Sequence, residues 1–495
     1  MSWDTDWLKK RARITPDRVA VVDGETKEQW TYQNLHERAE SIAAYLHGIG
    51  VSKGERVALL ASNQVCYFDL MFACTKLGAI FVPLNWRLSK KEIQYILSDC
   101  EPILIAYHEK FQFLLPNQFQ GVLLNIDQQF EELVGYNTFS QKIYSDVDEA
   151  DSLAIIYTGG TTGKPKGVVL THRSIFFNAV NTIISWNLTC NDTTITYLPM
   201  FHTGGLNALS IPLLHIGGKV VIGDLFESDR MIDLINEEQC TILLLVPTMY
   251  HVLTETKLFQ ITSFPSMHTF LSGGAPCSYR IYDAFAKKGL VFKEGYGLTE
   301  AGPNNFYINP NDALKKRGSV GKPMLYNRVK LLDAHGREVQ CSEVGEIVIS
   351  GHHLFTQYWN NPSVTAETKR DGWLYTGDLG KFDEDGYFYI VGRKKDMIIT
   401  GGENVFPLEV EHIITEYEMV AEVAVVGISN EKWGEVVTAF IVPKKGMQIT
   451  EKEIESHCKE YLGSYKVPKT ILFVTELPKT SVGKIDKKKL ISVSI

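Results

Sequence analysis

Strand-like and helix-like stretches alternate through the first third of the chain, and that alternation leaves few folds open. Arg56-Val-Ala-Leu-Leu-Ala61 is a short apolar run, Tyr67 to Leu77 has helical periodicity, and Ala79-Ile-Phe-Val-Pro-Leu84 is strand-like again. Ser89-Lys-Lys-Glu92 is a capping box that opens another helix. Parallel strands need a long crossover, which a helix supplies, so the pattern predicts a parallel sheet covered by helices. Similar alternation resumes at Ala154-Ile-Ile-Tyr157, Lys219-Val-Val-Ile222 and Thr241-Ile-Leu-Leu-Leu-Val246, predicting a second α/β unit.

From about Val329 the texture changes to short strands and turns (Val329-Lys-Leu-Leu332, Gly345-Glu-Ile-Val-Ile349, Gly386-Tyr-Phe-Tyr-Ile-Val391), which reads as a small antiparallel sheet or barrel. The charged stretch Gly392-Arg-Lys-Lys-Asp396 reads as a linker. Beyond it lies a self-contained α+β pattern: Val423-Ala-Val-Val426, Thr438-Ala-Phe-Ile-Val442, a helix capped by Thr450 with Glu453, and Thr470-Ile-Leu-Phe-Val474. The expected fold is α/β: a large N-terminal domain (1–392) of two α/β subdomains plus a small antiparallel sheet or barrel, a hinge (393–396), and a small mobile α+β C-terminal domain (397–495).

Composition narrows the function classes. Apolar residues at 44% and charged residues at 22% are typical of a globular protein, and a net charge of -8 argues against a nucleic-acid partner. Asp4 and Asp6 stand where a secretory signal would be basic, and the longest apolar run, Thr241 to Leu253, is broken by Pro247 and His251. A cytoplasmic protein without an integral membrane segment is expected. The cysteines, Cys66, Cys74, Cys100, Cys190, Cys240, Cys277, Cys341 and Cys458, form no C-x-x-C pair and read as buried thiols.

The most informative stretch is Tyr157-Thr-Gly-Gly-Thr-Thr-Gly-Lys-Pro-Lys-Gly167. Glycines let backbone N–H groups approach phosphate oxygens, Thr161 and Thr162 add hydroxyl donors, and Lys166 adds positive charge, so the segment (Thr158, Gly159, Gly160, Thr161, Thr162, Gly163, Lys166) reads as a phosphate cradle. It is not a Walker A loop, because only three residues separate Gly159 from Gly163-Lys164 and Pro165 follows. Further along come Leu198-Pro-Met-Phe-His202, Gly273-Gly-Ala-Pro276, Gly295-Tyr-Gly-Leu-Thr-Glu300, Tyr375-Thr-Gly-Asp378, Gly392-Arg-Lys-Lys-Asp396, Gly401-Gly-Glu-Asn404 and Pro478-Lys-Thr-Ser-Val-Gly-Lys484.

These motifs, in this order and over nearly the whole chain, resemble the adenylate-forming superfamily of acyl-CoA synthetases, nonribosomal-peptide adenylation domains and firefly luciferases. One departure is Gly159, at a position usually filled by Ser or Thr. The resemblance implies ATP, Mg²⁺ and the co-substrate coenzyme A. It puts Tyr296 against the adenine between Gly295 and Gly297, Thr299 near the α-phosphate, Glu300 on Mg²⁺, and Gly274, Ala275 and Pro276 by the adenylate. Asp378 and Arg393 would hold the ribose, and His202 would line the acyl pocket, where Gly204 and Gly205 leave room for a bulky acid. Lys484 would contact the carboxylate and α-phosphate. Rotation at Lys395 would carry it away and bring Gly401, Gly402 and Glu403 to the pantetheine channel.

The expected activity is that of an ATP-dependent acyl-CoA ligase (acyl-CoA synthetase, AMP-forming), catalysed by Lys484, His202, Thr299 and Glu300. A medium- or long-chain fatty acid is the first candidate for the carboxylic acid substrate. An aryl acid (cinnamate, benzoate or o-succinylbenzoate) is the alternative, and a non-catalytic nucleotide-binding scaffold ranks below both. Amino-acid activation ranks low, since His202-Thr203 stands where such domains carry an Asp for the ammonium. The pocket candidates His202, Gly204, Leu206, Asn207, Pro247, Thr248, Met249, Gly273, Gly295 and Leu298 include no basic residue for a second carboxylate. Oligomeric state is open, a homodimer being one arrangement allowed.

Overall fold

The alternating stretches of the first third form a six-stranded sheet in the order Val122–Asn125, Leu104–Tyr107, Arg56–Leu60, Ile80–Pro83, Ser152–Thr158, Lys166–Thr171. Its strands run parallel except the last, which returns antiparallel to Ser152–Thr158. The computed structural model describes residues 4–135, 146–159, 164–479 and 485–493. Helix Cys66–Leu77 crosses between two of these strands and buries nearly every side chain, which its almost uninterrupted apolar sequence requires. It ends at Gly78, whose φ of 69° is left-handed and closes the helix with a bond from its N–H to the Cys74 carbonyl. The capping boxes at Ser89–Glu92 and Thr450–Glu453 form as expected.

The second α/β unit is two adjoining sheets. One orders Gln29–Thr31, Val19–Asp23, Lys219–Ile222 and Thr193–Thr196; the other is parallel, with Ile242–Leu245, Thr269–Ser272 and Phe292–Glu294. The Thr241 N–H donates to the Thr193 carbonyl and joins them. An antiparallel sheet follows, in the order Phe306–Tyr307, Ser319–Pro323, Phe388–Arg393, Trp373–Phe382, Gly345–Ser350, Arg328–Leu332. Beyond a one-turn helix at Lys394–Asp396, Glu403–Val405, Ile398–Thr400, Gly434–Pro443 and Val420–Asn430 make a separate sheet, with Thr470–Phe473 parallel to Gly434–Pro443. This last part has its own core around Val410, Ile414, Val425, Ile441 and Ile454. It touches the large part where Arg280 donates to the Glu416 carbonyl (3.0 Å), a cation at a helix C-terminus, and where the Tyr279 and His412 rings meet edge-on at 4.2 Å.

The thiols differ from expectation at two positions: Cys190 is exposed and Cys341 half-exposed, because Cys190 stands in the turn between helix His172–Trp186 and strand Thr193–Thr196, and Cys341 in a turn between two strands, rather than on core faces. Among the described residues no helix is long and apolar enough to cross a membrane.

Candidate active site

The expected phosphate cradle stands between two paired strands. Ser152–Thr158 and Lys166–Thr171 pair antiparallel with Thr158 opposite Lys166, so Lys166 opens the returning strand. Gly159 faces open space, and Lys164 reaches over the Tyr95 ring at 5.5 Å. Gly160, Thr161, Thr162 and Gly163 lie outside the described residues.

Two glycine segments leave the carboxyl ends of the parallel strands Thr269–Ser272 and Phe292–Glu294, where open α/β sheets bind ligands. The Gly295 N–H donates to the Ser272 carbonyl (2.8 Å), so the segments travel side by side. Gly274 (φ 84°), Ala275 and Pro276 are exposed, and a side chain at Gly274 would meet only Val246, at 3.8 Å. Gly297 is the opposite case: a Cβ there would lie 2.1 Å from the Pro303 carbonyl oxygen.

The expected ribose and adenine residues form one cluster. The Tyr296 hydroxyl donates to Asp378 Oδ2 (2.7 Å), while Arg393 Nε lies 3.1 Å from Asp378 Oδ1 and pairs with Asp378 across the sheet. Burial and the Asp378 carboxylate push the Tyr296 phenol far up, so it stays a donor. Thr299 and Glu300 stand in the short 3₁₀ turn Thr299–Ala301. Burial raises the Glu300 carboxyl; a hydrogen bond from Tyr358 OH (2.8 Å) and the positive charges of Arg393 and Lys166 oppose this.

Lys395 belongs to the same neighbourhood. Its ammonium is lowered by burial, and it feels Arg393, Asp378 and Lys488 of the C-terminal helix Lys487–Val493. Lys394 pairs with Glu346 (2.9 Å), which also accepts from the Gly377 N–H (3.2 Å) and so braces the turn before Asp378. Sequence reasoning passed over Glu346 and Tyr358, since neither stands within one of the motifs it singled out.

His202 caps the short helix Thr203–Asn207 with its backbone carbonyl, and its ring lies 4.5 Å from that of Phe201. Of the glycines beyond it, Gly204 has space, with only Leu198 near. Gly205 does not give the room expected of it: a Cβ would lie 2.4 Å from the Leu198 and Pro199 carbonyls, so its missing side chain serves close packing. Gly401 (φ 59°) and Gly402 (φ 86°) turn between Ile398–Thr400 and Glu403–Val405; Gly401 lies against Trp433, Gly402 faces open space, and Glu403 is exposed. Lys484 lies outside the described residues, in a segment whose ends, Lys479 and Ile485, are bridged.

Among the described residues no trio of His, Cys, Asp or Glu side chains is placed to hold a metal. A single carboxylate, Glu300, near the phosphate lysine fits a cation such as Mg²⁺, which keeps waters and takes most of its remaining oxygens from substrate phosphates.

Residues 8–359 match the model of the AMP-binding enzymes, and residues 409–484 that of their C-terminal domain. A feruloyl-CoA synthase from Amycolatopsis sp is 36% identical over 97% of both chains. A 2-succinylbenzoate–CoA ligase from Bacillus cereus is 34% identical over 98% of this chain and 97% of its own. A Mycobacterium tuberculosis fatty acyl CoA synthetase of known structure superposes with a TM-score of 0.80 at 32% identity, over 99% of this chain and 98% of its own. The chain therefore belongs to the family of AMP-binding enzymes, as an AMP-forming acid–thiol ligase that uses ATP, Mg²⁺ and coenzyme A.

Proposed function

We propose that the enzyme activates an aryl-substituted monocarboxylic acid of the hydroxycinnamate class as its CoA thioester. The observation that carries this reading is the 36% identity to a feruloyl-CoA synthase over 97% of both chains. The absence of a basic side chain among the pocket candidates supports one carboxylate over the two of o-succinylbenzoate. A fatty acid is the second reading, favoured by the likeness to the fatty acyl CoA synthetase.

In the first half-reaction an oxygen of the acid attacks the α-phosphorus of ATP. The bond to the β-phosphate bridging oxygen breaks, and pyrophosphate leaves. Asp378, between Tyr296 and Arg393, would accept from ribose hydroxyls. Lys166 and the glycine- and threonine-rich segment before it would take phosphate oxygens, and Thr299 would donate to the α-phosphate. Glu300 would hold Mg²⁺, which neutralises charge on the phosphates. Lys484 would add an ammonium where negative charge gathers. In the second half-reaction the thiol of coenzyme A attacks the acyl carbon, and AMP leaves with the bonding electron pair.

Lys484 would block the thiol's approach, so we place a hinge at Lys395, between the large part (1–392) and the small one (397–495). Lys395, which feels Asp378 of the large part and Lys488 of the small one, suits that place because rotation there would separate the two.

The test is a panel of aryl and aliphatic acids with ATP, Mg²⁺ and coenzyme A, read by AMP release and by the mass of the thioester. Equal yields of AMP and an aryl thioester are expected. Turnover confined to aliphatic acids would replace this reading with the second, and no AMP with any acid would remove both.

A further inference from the structure

Two opposite charges of this cleft stand close without pairing, and one side chain lies between them. Lys166 Nζ sits over the Tyr358 ring, 5.4 Å from its centroid, and the Tyr358 hydroxyl donates to Glu300 Oε1 at 2.8 Å. Tyr358 is only 7% exposed, so its hydroxyl needs an acceptor, and the Glu300 carboxylate supplies it.

Its position is fixed from every side. Residues 356–359 run along the returning strand: Trp359 N–H donates to the Gly167 carbonyl (2.7 Å), Val169 N–H to that of Gln357 (3.0 Å), and Tyr358 bridges Val168. The Tyr358 N–H donates to Thr365 Oγ1 (2.9 Å), the Phe355 N–H to the Glu300 carbonyl (2.8 Å), and the Phe355 ring meets the Tyr358 ring at 4.9 Å. The same short segment is thus bonded both to the strand that carries Lys166 and to the turn that carries Glu300.

We propose that Tyr358 is a positioning residue that keeps these charges apart, its hydroxyl fixing the Glu300 carboxylate for a divalent cation and its ring seating Lys166 for phosphate. The inference rests on the roles given above to Glu300 and Lys166. Without the spacer the ammonium and the carboxylate would be drawn into an ion pair, leaving neither for its ligand. Glu300 Oε1 is held by the phenol, which leaves Oε2 as the oxygen to offer a cation.

Two substitutions separate the ring from the hydroxyl, read by Mn²⁺ binding followed by electron paramagnetic resonance with α,β-methylene-ATP present. In Tyr358→Phe, Mn²⁺ affinity should fall about 10- to 100-fold, as when the partner that orients a metal ligand is lost. Nucleotide affinity measured without metal, the KM for the acid and the melting temperature should hold. In Tyr358→Leu, nucleotide affinity should fall as well, since the ring no longer separates Lys166 from Glu300. Glu300→Gln is the control. If it weakens Mn²⁺ binding and Tyr358→Phe does not, the inference is overturned while the site reading stands. If Glu300→Gln has no effect either, both are overturned. A rise in the acid KM of Tyr358→Phe equal to the loss in Mn²⁺ affinity would also overturn it, by showing a general distortion.

Discussion

Single residues in this cleft do different work from neighbours of the same type. Gly274 leaves open space beside the proposed nucleotide site, whereas Gly297 is a glycine because the Pro303 and Gly302 carbonyls occupy the volume of a side chain. Gly297→Ala should therefore cost about 1–3 kcal/mol of stability, as overpacking does. It should also raise the KM for ATP, because the clash lies between Tyr296 and Thr299; denaturant unfolding and ATP titration would check both. An unchanged unfolding midpoint would show that the loop relaxes freely. None of this could be read from the motif Gly295-Tyr-Gly-Leu-Thr-Glu300 itself, since what crowds Gly297 is a backbone reversal whose geometry the letters do not carry.

At the level of elements, strand Phe292–Glu294 ends in a buried carboxylate outside the proposed catalytic set. Glu294 is 5% exposed, accepts from Tyr282 OH (2.8 Å) and the Cys277 N–H (3.2 Å), and so ties the Gly273–Pro276 segment to its neighbour. Burial raises its carboxyl from 4.5 to about 7, more than these two bonds lower it. The sign follows from proton linkage. The unfolded chain releases this proton near pH 4.5 and the folded chain only near 7, so rising pH between these values removes on the order of 3 kcal/mol of stability. The melting temperature of Glu294→Gln minus that of the parent should increase from pH 4.5 to 7.5; a constant difference would mean that Glu294 titrates normally.

Local rules were legible at this level. The boxes at Ser89–Glu92 and Thr450–Glu453, and the crossover helix Cys66–Leu77, follow from nearest neighbours and periodicity. Pairing between distant segments was not. Val19–Asp23 lies parallel to Lys219–Ile222, and residues 356–359 line the Lys166 strand, because burial joins segments whose separation no local pattern encodes. That is why Tyr358, 58 residues beyond Glu300, escaped notice.

For the whole molecule, the charged stretch at 392–396 stands where the chain leaves the antiparallel sheet, whereas that sheet begins at Phe306, ahead of the change of texture near Val329, because Phe306–Tyr307 and Ser319–Pro323 are too short to show a strand pattern. Tyr296, Asp378 and Arg393 come together from three segments, with Glu300, Lys166 and Lys395 near enough to be felt electrostatically. The contact of Arg280 and Tyr279 with helix Pro407–Glu416 holds the small part in one orientation, which rotation at Lys395 would have to break.

The most direct test measures the two half-reactions separately, as acid-dependent ATP–pyrophosphate exchange and as thioester formation from a prepared acyl-adenylate, in Lys484→Ala and Lys395→Pro. Lys484→Ala should lose about 100- to 1,000-fold in exchange and keep thioester formation, as when one donor to developing charge is removed; Lys395→Pro should do the reverse. Equal loss of both half-reactions in each variant, or exchange untouched in Lys484→Ala, would contradict a single cleft served in turn by two faces of a rotating domain.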